Sequence, residues 1–200
     1  MRTARDEPGP DGDRVDEEPE YLDIVDEHDR VVGRDTRENV HRRHLRHRGV
    51  HVLVVNRLGE ILVQERSAHL DTHPGRLDAS AGGHVQSGET YHQAAERELL
   101  EELGCHPGPV QYLLTYDGYS VRQFEKRGVF LHHCGGPFRP DPDAVEGIEF
   151  HSADRLIELF ATRPCTEGFM RSVSHYFDHL AERGVPAPDW RWQGHPPPFP

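Results

Sequence analysis

The stretch Gly83–Cys105 reads GHVQSGETYHQAAERELLEELGC. Thr90 with Gln93 three residues later is a capping-box pattern, which starts a helix. Gly104 suits the left-handed residue that ends one. Within that helix Glu98, Glu101 and Glu102 fall at i, i+3 and i+4 and share a face. Ala95, Leu99 and Leu103 at i, i+4 and i+8 form an apolar stripe that packs on a core. Three like charges so close repel one another. Water tolerates that repulsion, whereas a divalent cation converts it into binding. Carboxylate oxygens are hard donors suited to Mg2+ or Mn2+, with waters and substrate phosphates completing the octahedron. Glu101-Glu102 alone would read as a solvated helix face; the surrounding residues decide otherwise.

Working outward, the segments before the helix read as strands. Tyr21–Val25 and Arg30–Arg34 flank a turn at residues 27–29, and a short polar, helix-compatible piece runs to Val40. Gly49–Asn56 and Glu60–Glu65 form a strand pair turning at residues 57–59, and residues 79–82 lead as a strand into Gly83. After the helix, Val110–Tyr116, Gly128–His133 and Ala144–His151 read as strands. Ala153–Phe160 and Glu167–Leu180 read as helices. Strands on both sides of a central helix, with helices at the end, predict an α/β fold: a mixed sheet sandwiched between helices.

The ends differ in composition. Residues 1–19 are rich in Asp, Glu, Arg, Gly and Pro and predict disorder; 20–182 is the domain; 183–200 is a Pro-rich tail expected to be extended, with Trp190 and Trp192 placed to pin it to the body or to a second chain. A net charge of −12 argues against general nucleic-acid binding. The mean hydropathy of −0.77 and the absence of a long apolar run argue against a membrane span. Cys105, Cys134 and Cys165 are far apart in sequence and lack CxxC spacing. They read as reduced thiols of a cytoplasmic protein.

Gly83, Glu89, Arg97, Glu98, Leu99, Glu101, Glu102 and Gly104 fill the pattern G-x5-E-x7-R-E-U-x-E-E-x-G-U, with U a bulky apolar residue. Seven fixed identities, each met at roughly 5–7% by average usage, coincide by chance on the order of once in a hundred million or less. The chain therefore resembles the Nudix hydrolases, and only Cys105, at the last U, is unusual. The resemblance implies the Nudix α/β/α sandwich and Mg2+-dependent hydrolysis of a phosphoanhydride. The substrate would be a nucleoside diphosphate linked to a group X, or a nucleoside triphosphate. It implies Glu98, Glu101 and Glu102 as the main metal ligands, Glu89 as a further ligand or its support, and Arg97 as the group that orients the glutamates. Gly83 and Gly104 serve the backbone. Glu125 lies where many Nudix enzymes place a base or an additional ligand. A homodimer is compatible with the family.

A narrower resemblance concerns YLDIVDEHDRVVG, LRHRG, EILVQERS and PGRLDASAGGHVQSGE, which look like the branch related to isopentenyl-diphosphate isomerase. That isomerase uses histidines and glutamates for its metal and a cysteine just before the Nudix helix for proton transfer. His84 matches a metal histidine and His47 falls where another would lie; a further one aligns nearest Val40, with His41 beside it. Gly82 stands at the cysteine position. The two glutamates of the later strand align with Gln123 and Glu125, so one is lost. A glycine cannot move a proton, while the hydrolase helix is complete; both departures favour hydrolysis. A non-catalytic nucleotide-sensing module is the other alternative, and such modules usually lose box glutamates. Taken by itself, His47 in the basic run HRRHLRHR reads as a surface or hinge group, and Arg42, Arg43, Arg46 and Arg48 as phosphate donors.

Overall fold

The structure is a computed structural model and describes residues 19–70, 72–105, 108–119 and 124–194. The tail expected over 1–19 falls, except for Pro19, outside the described residues, as do Gln123 and residues 195–200. Along the chain run β1 (Tyr21–Val25), β2 (Val31–Thr36), α1 (Arg37–Arg42), β3 (Arg46–Val55), β4 (Ile61–Arg66), β5 (Leu77–Asp78) and β6 (Ala81–His84). Then come α2 (Tyr91–Leu103), β7 (Gln111–Tyr119), β8 (Phe124–His133), β9 (Val145–His151), α3 (Ala153–Thr162) and α4 (Glu167–Glu182).

The sheet is mixed and β3 is its hub. It pairs antiparallel with β6 from Gly49↔His84 to Val52↔Ala81 and in parallel with β8 from Arg46↔Phe124 to Val55↔His133. Strand side chains alternate between faces, and β3 shows the result. Val50, Val52 and Val54 join Ala95, Leu99, Leu103 and Phe130 beneath α2. Leu53 and Val55 join Leu156, Phe169, Val173 and Phe177 beneath α3 and α4. Helices thus cover both faces, the expected α/β/α sandwich. Leu99 and Leu103 are fully buried, so truncating either to alanine costs about 2–5 kcal/mol.

The edges of several elements differ from the sequence reading. β3 begins at Arg46 rather than Gly49, because Arg46, His47 and Arg48 already pair with β8, and His47 also with β1. His47 is consequently fully buried, not a surface or hinge group. The basic run is not an open phosphate patch either. Arg42 pairs with Glu38, Arg43 with Asp35 and Arg48 with Asp29, while Arg46 lies over the Phe124 ring. Near the end of the chain Trp190 packs on Phe160, with ring centroids 4.8 Å apart, and Arg191 pairs with Asp178. Residues just past α4 therefore lie against the body. No helix among the described residues is long and apolar enough to cross a membrane.

Candidate active site

The helix α2 is set by local chemistry. Thr90 accepts from the Gln93 amide while Gln93 reaches back to the Thr90 amide, and Gly104 closes the helix at φ 57°. Its glutamate face looks into a cleft of about 1190 Å³, lined on its other sides by residues of β3, β6, β8 and α4.

Arg97 is the organiser. Its Nε donates to Glu89 Oε1 at 2.9 Å and Nη2 to Glu89 Oε2 at 3.1 Å. Nη1 donates to Glu98 at 2.8 Å and Glu101 at 2.9 Å, and Nη2 also to the His84 carbonyl at 2.9 Å. One guanidinium thereby ties α2 to the loop before it and to the end of β6. Glu102, out of Arg97's reach, accepts from the Gly82 amide at 3.0 Å and from Gln64 at 3.2 Å. A Cβ at Gly83 would collide with the Glu98 carboxylate. The box therefore needs a glycine there for space.

The electrostatics of the pair Glu98 and Glu102 are unusual. Burial pushes Glu98 up to about 7, against the opposing pull of Arg97. Burial, and then the nearby Glu98, push Glu102 up to about 8. Two carboxylates with too little positive charge beside them form a donor set that suits a hard divalent cation, whose charge would restore both to the ionised form.

A second group stands beside the box. The rings of His41, His47 and His84 lie 4.9–5.2 Å apart, centroid to centroid. His47 Nδ1 donates to the Leu45 carbonyl at 2.9 Å, which leaves a bare Nε2, buried and without a hydrogen-bond partner among the described residues, 3.7 Å from Glu125 Oε1. His84 Nε2 is 3.9 Å from the same oxygen and 3.1 Å from His41 Nε2. Burial pushes His41 and His47 down to about 4 and His84 well below its usual value, so all three are neutral near pH 7. Glu125 is itself buried and is held by Arg127.

All the expected site residues line the cleft or the histidine cluster at its edge, except the structural Gly104 and Glu89, which was expected as a further ligand or its support and instead faces Arg97. Sequence reasoning missed Glu20, His51, Asp78 and Arg127. His51 bonds Ser172 of α4 at 2.9 Å and lies 3.9 Å from Asp78, which Thr166 also bonds at 2.7 Å. Arg127 could have been found, because period-2 alternation puts it on the same face of β8 as Glu125. Nothing in the sequence near Glu20 marks it.

Comparison with known proteins agrees with this geometry. Residues 45–173 match the NUDIX domain, and the chain belongs to that family. It is a Nudix hydrolase by kinship as well as by fold. It is 49% identical over 135 residues to an uncharacterised Nudix hydrolase of Yersinia pestis, covering 64% of this chain and 71% of that one. It is 43% identical over 167 residues to one from Nostoc, covering 79% and 96%. Among solved structures, DR0079 from Deinococcus radiodurans is similar at TM-score 0.65 and 28% identity, covering 74% of this chain and 93% of that one. The NUDIX domain of Shewanella oneidensis NrtR, solved with ADP ribose, shares the fold at TM-score 0.55 and 14% identity, covering 66% and 86%.

Proposed function

We propose that this enzyme is a divalent-cation-dependent hydrolase that cleaves a phosphoanhydride in a nucleoside diphosphate linked to X or in a nucleoside triphosphate. The observation that carries the reading is the pair Glu98 and Glu102 on one face of α2 at the cleft, the first buried and the second partly so, with carboxyl groups held up at about 7 and 8. Burying two carboxylates costs stability unless a cation is to share them. Mg2+, or Mn2+ in its place, would be held by Glu98, Glu101 and Glu102. When bound, it offsets the charge on the diphosphate oxygens and makes water a better nucleophile.

The chain's own groups divide the remaining work. Arg97 fixes the glutamates and locks Glu89 through two parallel bonds, so Glu89 supports the site rather than leading it. Arg66, Arg127 and Arg171 line the cleft opposite the box and provide positive charge for a diphosphate. Proton transfer falls to a carboxylate not consumed in holding the cation. Glu125 is such a group, with Oε2 on Arg127 and Oε1 toward His47 and His84. ADP ribose, found on the NrtR fold-mate, is a nucleoside diphosphate linked to X; the likeness supports the fold, and the substrate class rests on the cleft.

A specific observation also supports kinship with the isomerase-like branch: His41, His47 and His84 gather around one point with Glu125 beside them. The isomerase reaction is not supported. A Cβ at Gly82 would stand 2.8 Å from both the His51 ring and the Val50 carbonyl, so the site lacks the cysteine and the room for one. A purely sensing module is likewise disfavoured by the complete set of box carboxylates. The deciding experiment is product analysis by mass spectrometry with Mg2+ and a panel of nucleoside di- and triphosphates, nucleotide sugars, dinucleotides, coenzyme A and isopentenyl diphosphate. Metal-dependent phosphoanhydride cleavage, lost in Glu102→Gln, is expected. Isomerised isopentenyl diphosphate, or a nucleotide retained uncleaved, would overturn the reading.

A further inference from the structure

The three cysteines are distant in sequence, yet the fold brings two of them together at the far end of β8. Cys105, just past the glycine that ends α2, lies with Sγ 3.7 Å from Cys134 Sγ and 3.8 Å from His132 Nε2. The three donor atoms all lie within 4.8 Å of one another. Cys105 and His132 are buried, and Cys134 is partly open to solvent, which gives a route in. None of the three lines the catalytic cleft. Seven residue steps along β8 lead from Glu125 to His132, about 23 Å of extended strand.

We propose that Cys105, His132 and Cys134 form a second metal site, selective for a thiophilic cation of the Zn2+ class and separate from the catalytic one. The spacing has a simple test. Tetrahedral zinc, with Zn–S near 2.3 Å and Zn–N near 2.0–2.1 Å, sets a sulfur–sulfur edge of about 3.8 Å and a sulfur–nitrogen edge of about 3.6 Å. The observed 3.7 and 3.8 Å are close to these values. A disulfide needs the sulfurs at about 2.05 Å. A second observation is independent of that spacing. The Gly136 amide donates to Cys134 Sγ at 3.3 Å, a backbone bond that stabilises a thiolate and orients its lone pairs toward a metal. Soft sulfur donors favour Zn2+ over Mg2+, so the two sites would sort the two cations.

On binding, both thiols lose their protons to solvent, Zn2+ gains two thiolates and one neutral imidazole, and water completes the coordination. The consequence is structural. Cys105 follows α2, and Cys134 and His132 belong to β8 and its exit, so the metal would staple the end of the box helix to the sheet.

The test titrates Co2+ into the reduced full chain, with excess Mg2+ present to occupy the hard site. A sulfur-to-cobalt charge-transfer band is expected, lost in Cys134→Ser and in His132→Gln. Zn2+ should displace the Co2+, protect Cys105 and Cys134 but not Cys165 from alkylation, and raise the melting temperature of the parent but not of Cys134→Ser. Cys134 is only partly buried, so that variant should fold; Cys165→Ser serves as the matched control and should keep the band. Cobalt held by His41, His47 and His84 alone gives no sulfur band. A spectrum without that band, a band that survives Cys134→Ser, or a Cys105–Cys134 disulfide forming with no metal taken up by the reduced protein would overturn the proposal.

Discussion

The Gly82 amide donates to the Glu102 carboxylate at 3.0 Å, a bond between the last turn of the box helix and the strand that enters it. It counters only part of the burial that holds Glu102 up at about 8. Gln at this position can still accept from Gly82 but carries no charge for a cation. Glu102→Gln should therefore lower metal-dependent turnover by about 10²-fold or more while leaving the metal-free melting temperature equal or higher. Steady-state kinetics beside thermal melts check it; parent-like turnover would refute the role assigned to Glu102.

The same two carboxyl groups set a pH dependence. In the folded protein Glu98 and Glu102 hold their protons to about 7 and 8, against 4.5 ordinarily. The folded state thus binds more protons than the unfolded one in that window. The stability they contribute is complete below pH 4.5 and is lost as pH rises through 7 to 8. Melts in EDTA should show that decline, flatter in the Glu98→Gln/Glu102→Gln double variant. Mg2+ should raise the melting temperature most at the alkaline end.

Removing the organiser leaves several carboxylates uncompensated. Arg97→Met should destabilise the fold by about 3 kcal/mol and abolish metal-dependent activity. Arg97→Lys should not rescue it, because an ammonium cannot serve Glu89 with two parallel bonds and reach Glu98 and Glu101 as well. Urea unfolding of both variants, with and without Mg2+, measures the difference; full activity in the lysine variant would contradict it.

Restoring the cysteine of the isomerases should not restore their chemistry. A side chain on Gly82 meets His51 and the Val50 carbonyl, so Gly82→Cys should cost about 1–3 kcal/mol by overpacking and yield no isomerised isopentenyl diphosphate. Proton exchange into that compound, followed by NMR in heavy water, is the readout; any exchange above the parent's would show that the cleft adapts.

Much of the box was legible because helix spacing is local. Thr90, Gln93 and Gly104 marked the ends of α2, and the i, i+3, i+4 rule put Glu98, Glu101 and Glu102 on one face. The histidine cluster was legible only in part. His47 sits in a run of arginines, and its burial depends on β3 lying between β1 and β8, a long-range pairing that composition conceals. The missed Glu20 and His51 contribute through contacts with His84 and Ser172, residues 64 and 121 positions away in sequence respectively in the first case by Glu20–His84 and in the second by His51–Ser172. The approach of Cys105 to Cys134 has the same origin: a helix end and a strand end meet only after the sheet forms.

The parallel pairing of β3 with β8 sets His47 opposite Glu125. Side chains alternate along both strands, so the pair depends on frame, not on identity alone. Deleting one residue within β8 ahead of Glu125 and letting the remainder slide would bring Glu125's neighbours into its place: an acid would give way to a base, and the carboxylate would turn to the opposite face. Every amino acid needed for the site would still be encoded, yet the site would be gone. For this protein an indel in β8 is a deeper lesion than a substitution in it, and sequence comparisons that count matching residues without checking their phase along these two strands would overlook the damage.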